Sequence, residues 1–231
     1  VKPYAAFVLY AAAVLSSLCL CSSPLSDVDI TDFGVIGLSA SIEKWFCDTG
    51  LSRQEVQALV YDKNLASVQI RNGGVAVNDS AMAYDSSVVM PCYVKNDLTV
   101  STNTTYRFII TLSNGDRCTS TVVTPQAEFG IVAVPDTFRI SGGTTITWTD
   151  AAPGLPVDIT LTLVTGNRTV FQRSGVPDSG RIVIPPMVDS TFTGKARFEM
   201  KRSTAGVAAG QLRDGTVRSS FSFSDSLNLV L

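Results

Sequence analysis

Apolar residues recur at every second position through most of this chain, and that period fits strands and little else. In Lys195–Lys201, Ala196, Phe198 and Met200 share one parity, while Lys195, Arg197, Glu199 and Lys201 share the other. Ile159, Leu161 and Leu163 alternate in the same way. Such alternation puts one face of a strand on a core and the other in water. Each inward side chain contributes roughly 1.5–3 kcal/mol when fully buried. The sharpest local signal is a hairpin. Thr105–Leu112 and Arg117–Val123 flank Ser113-Asn114-Gly115-Asp116, and Asn-Gly tolerates the positive φ at both positions that a type I′ turn requires.

Further strands are expected at Ile36–Phe46, Ala66–Arg71, Gly74–Val77 and Ser87–Val94. A short helix is expected to interrupt them. Ser52-Arg53-Gln54-Glu55 has the capping-box form, with Val56, Leu59 and Val60 at helical spacing; a strand through Ala58–Tyr61 is the alternative. The first series stops near Thr124-Pro125-Gln126-Ala127, and a second follows with turn signals at Gly142-Gly143, Pro153-Gly154, Gly166-Asn167 and Pro177-Asp178-Ser179-Gly180. Its short strands fall in GIVAV, TFRIS, TTITWT, VDITLTLV, TVFQRS, GRIVI, KARFEMK and TVRSSFSFS. That spacing is the pattern of a β-sandwich. The expected fold class is therefore all-β: two tandem sandwich modules, at 22–126 and 127–231, behind an N-terminal signal over 1–21. Phe221, Phe223, Leu227, Leu229 and Leu231 share parity, so the last segment is expected to end inside a sheet.

The N-terminal segment Tyr4–Cys21 carries no charge, follows Lys2 and precedes a polar stretch. This is the form of a secretory signal; a retained membrane anchor is the alternative at the lower length limit. Export makes disulfides permissible. Cys92 and Cys118 both lie in strand-like segments and are the first candidates for a bridge. Cys47 would then stay reduced, or pair with Cys21; buried reduced thiols throughout are the alternative.

The 231 residues include no histidine, which excludes a Ser-His-Asp or Cys-His relay, HExxH zinc chemistry and His-ligated haem made by this chain alone. A net charge of −2 argues against a nucleic-acid partner. Asp27, Asp29 and Asp32 offer oxygen ligands, but the run lacks the glycine and terminal glutamate of a calcium loop and reads as a solvated tether. Asn78, Asn103 and Asn167 stand in sequons and read as turn residues. Lys195, Arg197, Lys201, Arg202, Arg213 and Arg218 lie close in sequence; a solvated sheet face is the commoner reading of such a run. No phosphate loop and no GxSxG occurs, and most aspartates fall in turn contexts. No catalytic residue, metal site or cofactor is expected.

Two resemblances follow from these motifs. TYRFIITLSNGDRCTSTVVTP resembles the late hairpin of immunoglobulin-like modules in bacterial envelope lipoproteins, and ASVQIRNGG looks like their earlier strand and turn. Cys19 and Cys21 resemble the lipidation site of such lipoproteins, although Leu18 and Leu20 stand where that family prefers Gly, Ala or Ser. TTITWT, PVDITLTLV and VPDSGRIVIPP are similar to fibronectin-type-III-like domains and to fungal cell-wall-biogenesis sandwich domains. The resemblance implies an exported envelope protein, attached through an N-terminal lipid or uncleaved anchor, or released. It implies non-catalytic binding to an envelope protein or glycan. A carbohydrate-binding accessory module is the second expectation, for which exposed Tyr84 or Tyr93 would be the sign. A hydrolase built on two carboxylates is the third.

Overall fold

The structure, a computed structural model, describes residues 27–48, 50–187 and 191–231. The signal segment, Cys19 and Cys21 lie outside them. The first strands are β1 (Gly37–Cys47), β2 (Gly50–Tyr61), β3 (Gly74–Val77), β4 (Ser80–Ala81), β5 (Ala83–Asp85), β6 (Cys92–Lys95), β7 (Thr105–Thr111) and β8 (Arg117–Val123). The later strands are β9 (Val132–Ala133), β10 (Thr137–Arg139), β11 (Thr144–Trp148), β12 (Pro156–Leu163), β13 (Arg168–Pro177), β14 (Arg181–Ile184), β15 (Gly194–Ala205) and β16 (Asp214–Val230). The chain is all-β, in sheets stacked as in a sandwich, as the alternation predicts.

Residues on both sides of Gln126–Ala127 share the largest sheet, whose order is β13-β12-β15-β16-β1-β2-β6-β5, with β10 also on β16. The 17-residue β16 holds it together. Its first half pairs in parallel with β1, from Gly37 opposite Asp214 to Phe46 opposite Phe223, and its end pairs in parallel with β10. On its other side it runs antiparallel to β15. Registered pairs share a face, so one inner surface carries Ala40, Ile42 and Phe46 beside Val217, Phe221 and Phe223, then Ala196, Phe198 and Met200, then Ile159 and Leu161. A four-stranded sheet, β4-β3-β7-β8, and a three-stranded one, β14-β11-β9, complete the fold, and the buried cluster is continuous through all three sheets.

Three local expectations change. Residues 52–60 lie within β2, not a helix. Val56, Ala58 and Val60 are buried at alternate positions, and the strand is paired with β1 on one side and β6 on the other. Ser52 Oγ donates to the Trp45 carbonyl at 3.1 Å instead of capping a helix, so ladder pairing overrides a capping motif of modest worth. The expected strand at Ala66–Arg71 is reduced to isolated bridges at Ser67 and Ile70, and strand pairing after Ser87 begins only at Cys92. The Asn-Gly hairpin forms, but with a different turn. Gly115 is left-handed at φ +91° while Asn114 has no positive φ, and Gly115 N–H donates to the Leu112 carbonyl at 3.0 Å. That is a turn closed by a left-handed glycine, the longer hairpin solution, rather than type I′.

Candidate functional site

A cleft of about 430 Å³ is bordered by Ile70, Gly74, Met82, Tyr84 and Tyr93. A larger one, of about 720 Å³, opens where the β1–β2 hairpin meets the segment that crosses into the second strand series. Phe46, Phe129 and Phe223 line it together with the exposed side chains of Leu51 and Ile131. Asp48, Glu128 and Asp150 supply its carboxylates. The parallel β1–β16 ladder places Phe46 opposite Phe223. Thr149 Oγ1 accepts the Ile131 N–H at 2.9 Å and fixes the loops facing one another across the cleft.

Beneath this cleft lies a buried polar network. Arg202, on the inner face of β15, has no solvent exposure. Its Nε donates to Asp178 Oδ2 at 2.7 Å, Nη1 donates to the carbonyls of Ala127 (3.1 Å) and Glu128 (2.7 Å), and Nη2 donates to the Asp150 carbonyl at 2.8 Å. The guanidinium also lies 4.1 Å from the Phe129 ring centroid, a cation–π contact favoured by desolvation. Asp178 in turn accepts from Trp148 Nε1 at 2.7 Å and from the Ala152 N–H at 2.9 Å. A buried charge is tolerable only when paired and hydrogen-bonded, and here both partners are. Lys44, buried on β1, forms an ion pair with Glu128 and lies 5.5 Å from the Phe221 ring centroid. The crossing segment is thus fastened from β1 on one side and from β15 on the other.

Backbone geometry at the cleft is tightly specified. Asp150 is left-handed at φ +56°, a region that aspartate, like asparagine, enters more readily than most residues. A Cβ on Gly130 would fall 2.1 Å from Thr149 Oγ1 and 2.2 Å from Asp150 Oδ2, so only glycine fits this position without movement.

The residues singled out by the sequence scatter. The expected Cys92–Cys118 bridge is not made: both are buried thiols, on β6 of the large sheet and β8 of the four-stranded one. Burial raises both thiol pKa values, that of Cys118 to about 11. Cys47 Sγ donates to the Gly50 carbonyl at 3.7 Å. Tyr93 is core: its hydroxyl accepts the Ile70 N–H at 2.9 Å, and Tyr84, partly buried, meets its ring edge-on at 5.1 Å. Asp32 Oδ1 accepts the Gly34 N–H at 2.8 Å and caps a short 3-10 turn. Among the described residues no group of three or more His, Cys, Asp or Glu is placed to hold a metal ion. Asn78, Asn103 and Asn167 all sit at positive φ, as turn residues do. The basic run is divided: Arg197 pairs with Glu199, Arg213 with Asp214, Arg218 with Glu43, and Arg202 is internal. Asp178, expected to be an ordinary turn residue, is the counter-ion instead. The parity of Ala196, Phe198 and Met200, carried one step further, points Arg202 inward. That was the available signal for the network. No spacing pattern marks the cleft, because strand pairing assembles it from distant segments.

No known protein family matches the chain, and no curated protein matches it. Among solved structures it is similar to murine CEACAM1b, at 13% identity over 82% of this chain and 98% of that one, with a TM-score of 0.26. It is also similar to SGBP-B of the Bacteroides ovatus mixed-linkage glucan utilization locus, solved with a mixed-linkage heptasaccharide. That match has 13% identity over 87% of this chain and 47% of the other, with a TM-score of 0.24. The chain therefore spans about half the length of the second protein. Likenesses this distant carry no functional argument.

Proposed function

We propose that this protein is an exported, non-catalytic binding component of a cell envelope, adhesive or structural in role, and that its partner engages the 720 Å³ seam cleft. The observation that carries this reading is the cleft's construction: carboxylates and exposed apolar side chains over a floor of buried phenylalanines, set on loops held by the buried Arg202–Asp178 pair and the half-buried Lys44–Glu128 pair. A preorganised groove of this kind loses little entropy when a partner binds. Leu51 and Ile131, 53% and 78% exposed, supply apolar contact, while Asp48 and Asp150 supply acceptors. Saturable binding to isolated envelope proteins or glycans, measured with the wild-type chain and with Ile131→Asp, tests the assignment. Binding unchanged by Ile131→Asp would move the site elsewhere.

A carbohydrate-binding accessory role is the second reading. It is favoured by the carboxylates of Asp48, Glu128 and Asp150 beside the exposed apolar side chains of Leu51 and Ile131 in one cleft, a combination suited to a sugar's hydroxyls and C–H faces. The core placement of Tyr93 counts against the tyrosine platform that the sequence suggested. A glycan array separates the readings, since saturable sugar binding would sink a purely scaffolding role.

A further inference from the structure

One end of the large sheet presents apolar side chains where turns are ordinarily polar. The connection between β5 and β6 carries Val88, Val89 and Met90, exposed to 40%, 107% and 61%. The turn after β2 carries Leu65, which is 73% exposed and left-handed at φ +63°. A leucine in that region costs roughly 1–2 kcal/mol, so the turn holds a bulky apolar residue outward at an expense to stability. Asp62 sets the turn: its Oδ1 accepts the N–H groups of Asn64 (2.8 Å) and Ala66 (3.0 Å), and its carbonyl accepts the Leu65 N–H at 3.0 Å.

These two connections lie together. β2 runs into the Leu65 turn, and β6, antiparallel to β2, starts from the Val89 loop at the same end. Ser67 Oγ, just past the turn, donates to the Pro91 carbonyl and lies 3.1 Å from the Tyr84 hydroxyl. Four exposed apolar side chains at one apex form the kind of surface that marks an interaction site.

The entry of the chain shows what this apex faces. Ser67 pairs antiparallel with Tyr61, so the segment from Ser67 to Ile70 runs away from the turn. Val28 pairs in parallel with Ile70, so Asp27 stands on the apex side of Val28. In the sequence the uncharged apolar run Tyr4–Cys21 ends six residues before Asp27, a tether of at most about 20 Å. Eighteen uncharged residues reach the lower limit for crossing a bilayer.

We infer that the apex of Leu65, Val88, Val89 and Met90 inserts into the lipid bilayer that holds the N-terminal segment, as a second contact orienting the sheet against that membrane. The inference rests on the reading of Tyr4–Cys21 as a retained membrane anchor, the alternative to a cleaved secretory signal. Around the apex, Asp62 is occupied by its own turn, Lys63 is exposed, and Asp85 accepts from Ser87. Asp62, Lys63 and Asp85 together leave a net charge of −1, so insertion is driven by the apolar side chains and not by attraction to anionic lipid. Interfacial insertion of this kind is typically about 5–10 Å deep.

The test uses the full chain carrying Val89→Trp, reconstituted into phosphatidylcholine vesicles with ordinary or brominated acyl chains, and the parent chain as the control for Trp45 and Trp148. Loss of most of the added emission in brominated vesicles, with Trp148 fluorescence reporting an intact fold, is the expected result. If the chain floats with the vesicles but the emission of the introduced tryptophan is not quenched, the apex is not in the bilayer. That outcome overturns this inference and leaves membrane attachment standing. If the chain does not float at all, attachment through Tyr4–Cys21 and the apex contact fail together.

Discussion

Arg202 Nε and Asp178 Oδ2 lie 2.7 Å apart, with neither side chain exposed to solvent. The pair joins β15 to the loop before β14, and its remaining hydrogen bonds reach Trp148, Ala152, Asp150 and the crossing segment. It therefore fixes several backbone paths with one ion pair.

Asp178→Ala leaves the Arg202 charge buried without its counter-ion. The expected loss is about 3–5 kcal/mol, read as a lower denaturant midpoint. Replacing both residues by apolar ones should not restore stability here, because Trp148 Nε1, the Ala152 N–H and three carbonyls would lose their partners. Recovery to near wild-type in the double variant would show that the network is dispensable.

Gly130→Ala tests how tightly the cleft is specified. The new Cβ must displace both Thr149 Oγ1 and the Asp150 carboxylate, and overpacking of this sort typically costs about 1–3 kcal/mol. Stability and partner binding should both fall. Unchanged values for both would show that the loops yield freely.

Burial raises the phenol of Tyr93 to about 12. Tyr61 also rises to about 12, first through burial and then through its 2.7 Å hydrogen bond to Asp214. In the unfolded chain both ionise near their ordinary value of about 10. Their contribution to stability is present below about pH 10 and is lost as pH rises toward about 12. Ultraviolet titration of tyrosinate should show Tyr61 and Tyr93 ionising late, and Tyr61→Phe should reduce the late amplitude.

Cys92 and Cys118 should resist alkylation in the native protein at about pH 8 and react on unfolding, because burial disfavours both thiolates. Intact mass before and after denaturation measures this. A native mass showing two fewer hydrogens, with no label at either position after unfolding, would establish a bridge between them.

Deleting residues 221–231 removes Phe221, Phe223, Leu227 and Leu229 from the inner face. It also removes the lower part of the ladder to β1 and all of that to β10. Loss of the cooperative unfolding transition is expected across the whole chain, including the β1–β2 hairpin. A truncated protein with a normal thermal transition would refute it.

The strands of the second series, and the inward parity of Phe221 through Leu229, were legible because alternation is a local property. Leu231 keeps that parity but lies past the end of β16 and is exposed. Residues 52–60 misled because a capping box is local too, whereas the pairing of β2 with β1 and β6 is not. The larger cleft could not be read at all. Phe46, Glu128, Asp150 and Phe223 share no motif, and only the β1–β16 register brings the ends of that set together.

That register also sets a timetable. Gly37 finds its parallel partner in Asp214, roughly 180 residues downstream, and long-range pairing of this kind is slow to form. As the chain leaves the ribosome, β1 can pair with β2 but not with β16. The central ladder of the large sheet must wait for the last strand. The large sheet thereby stays incomplete until the segment carrying β16 has been made.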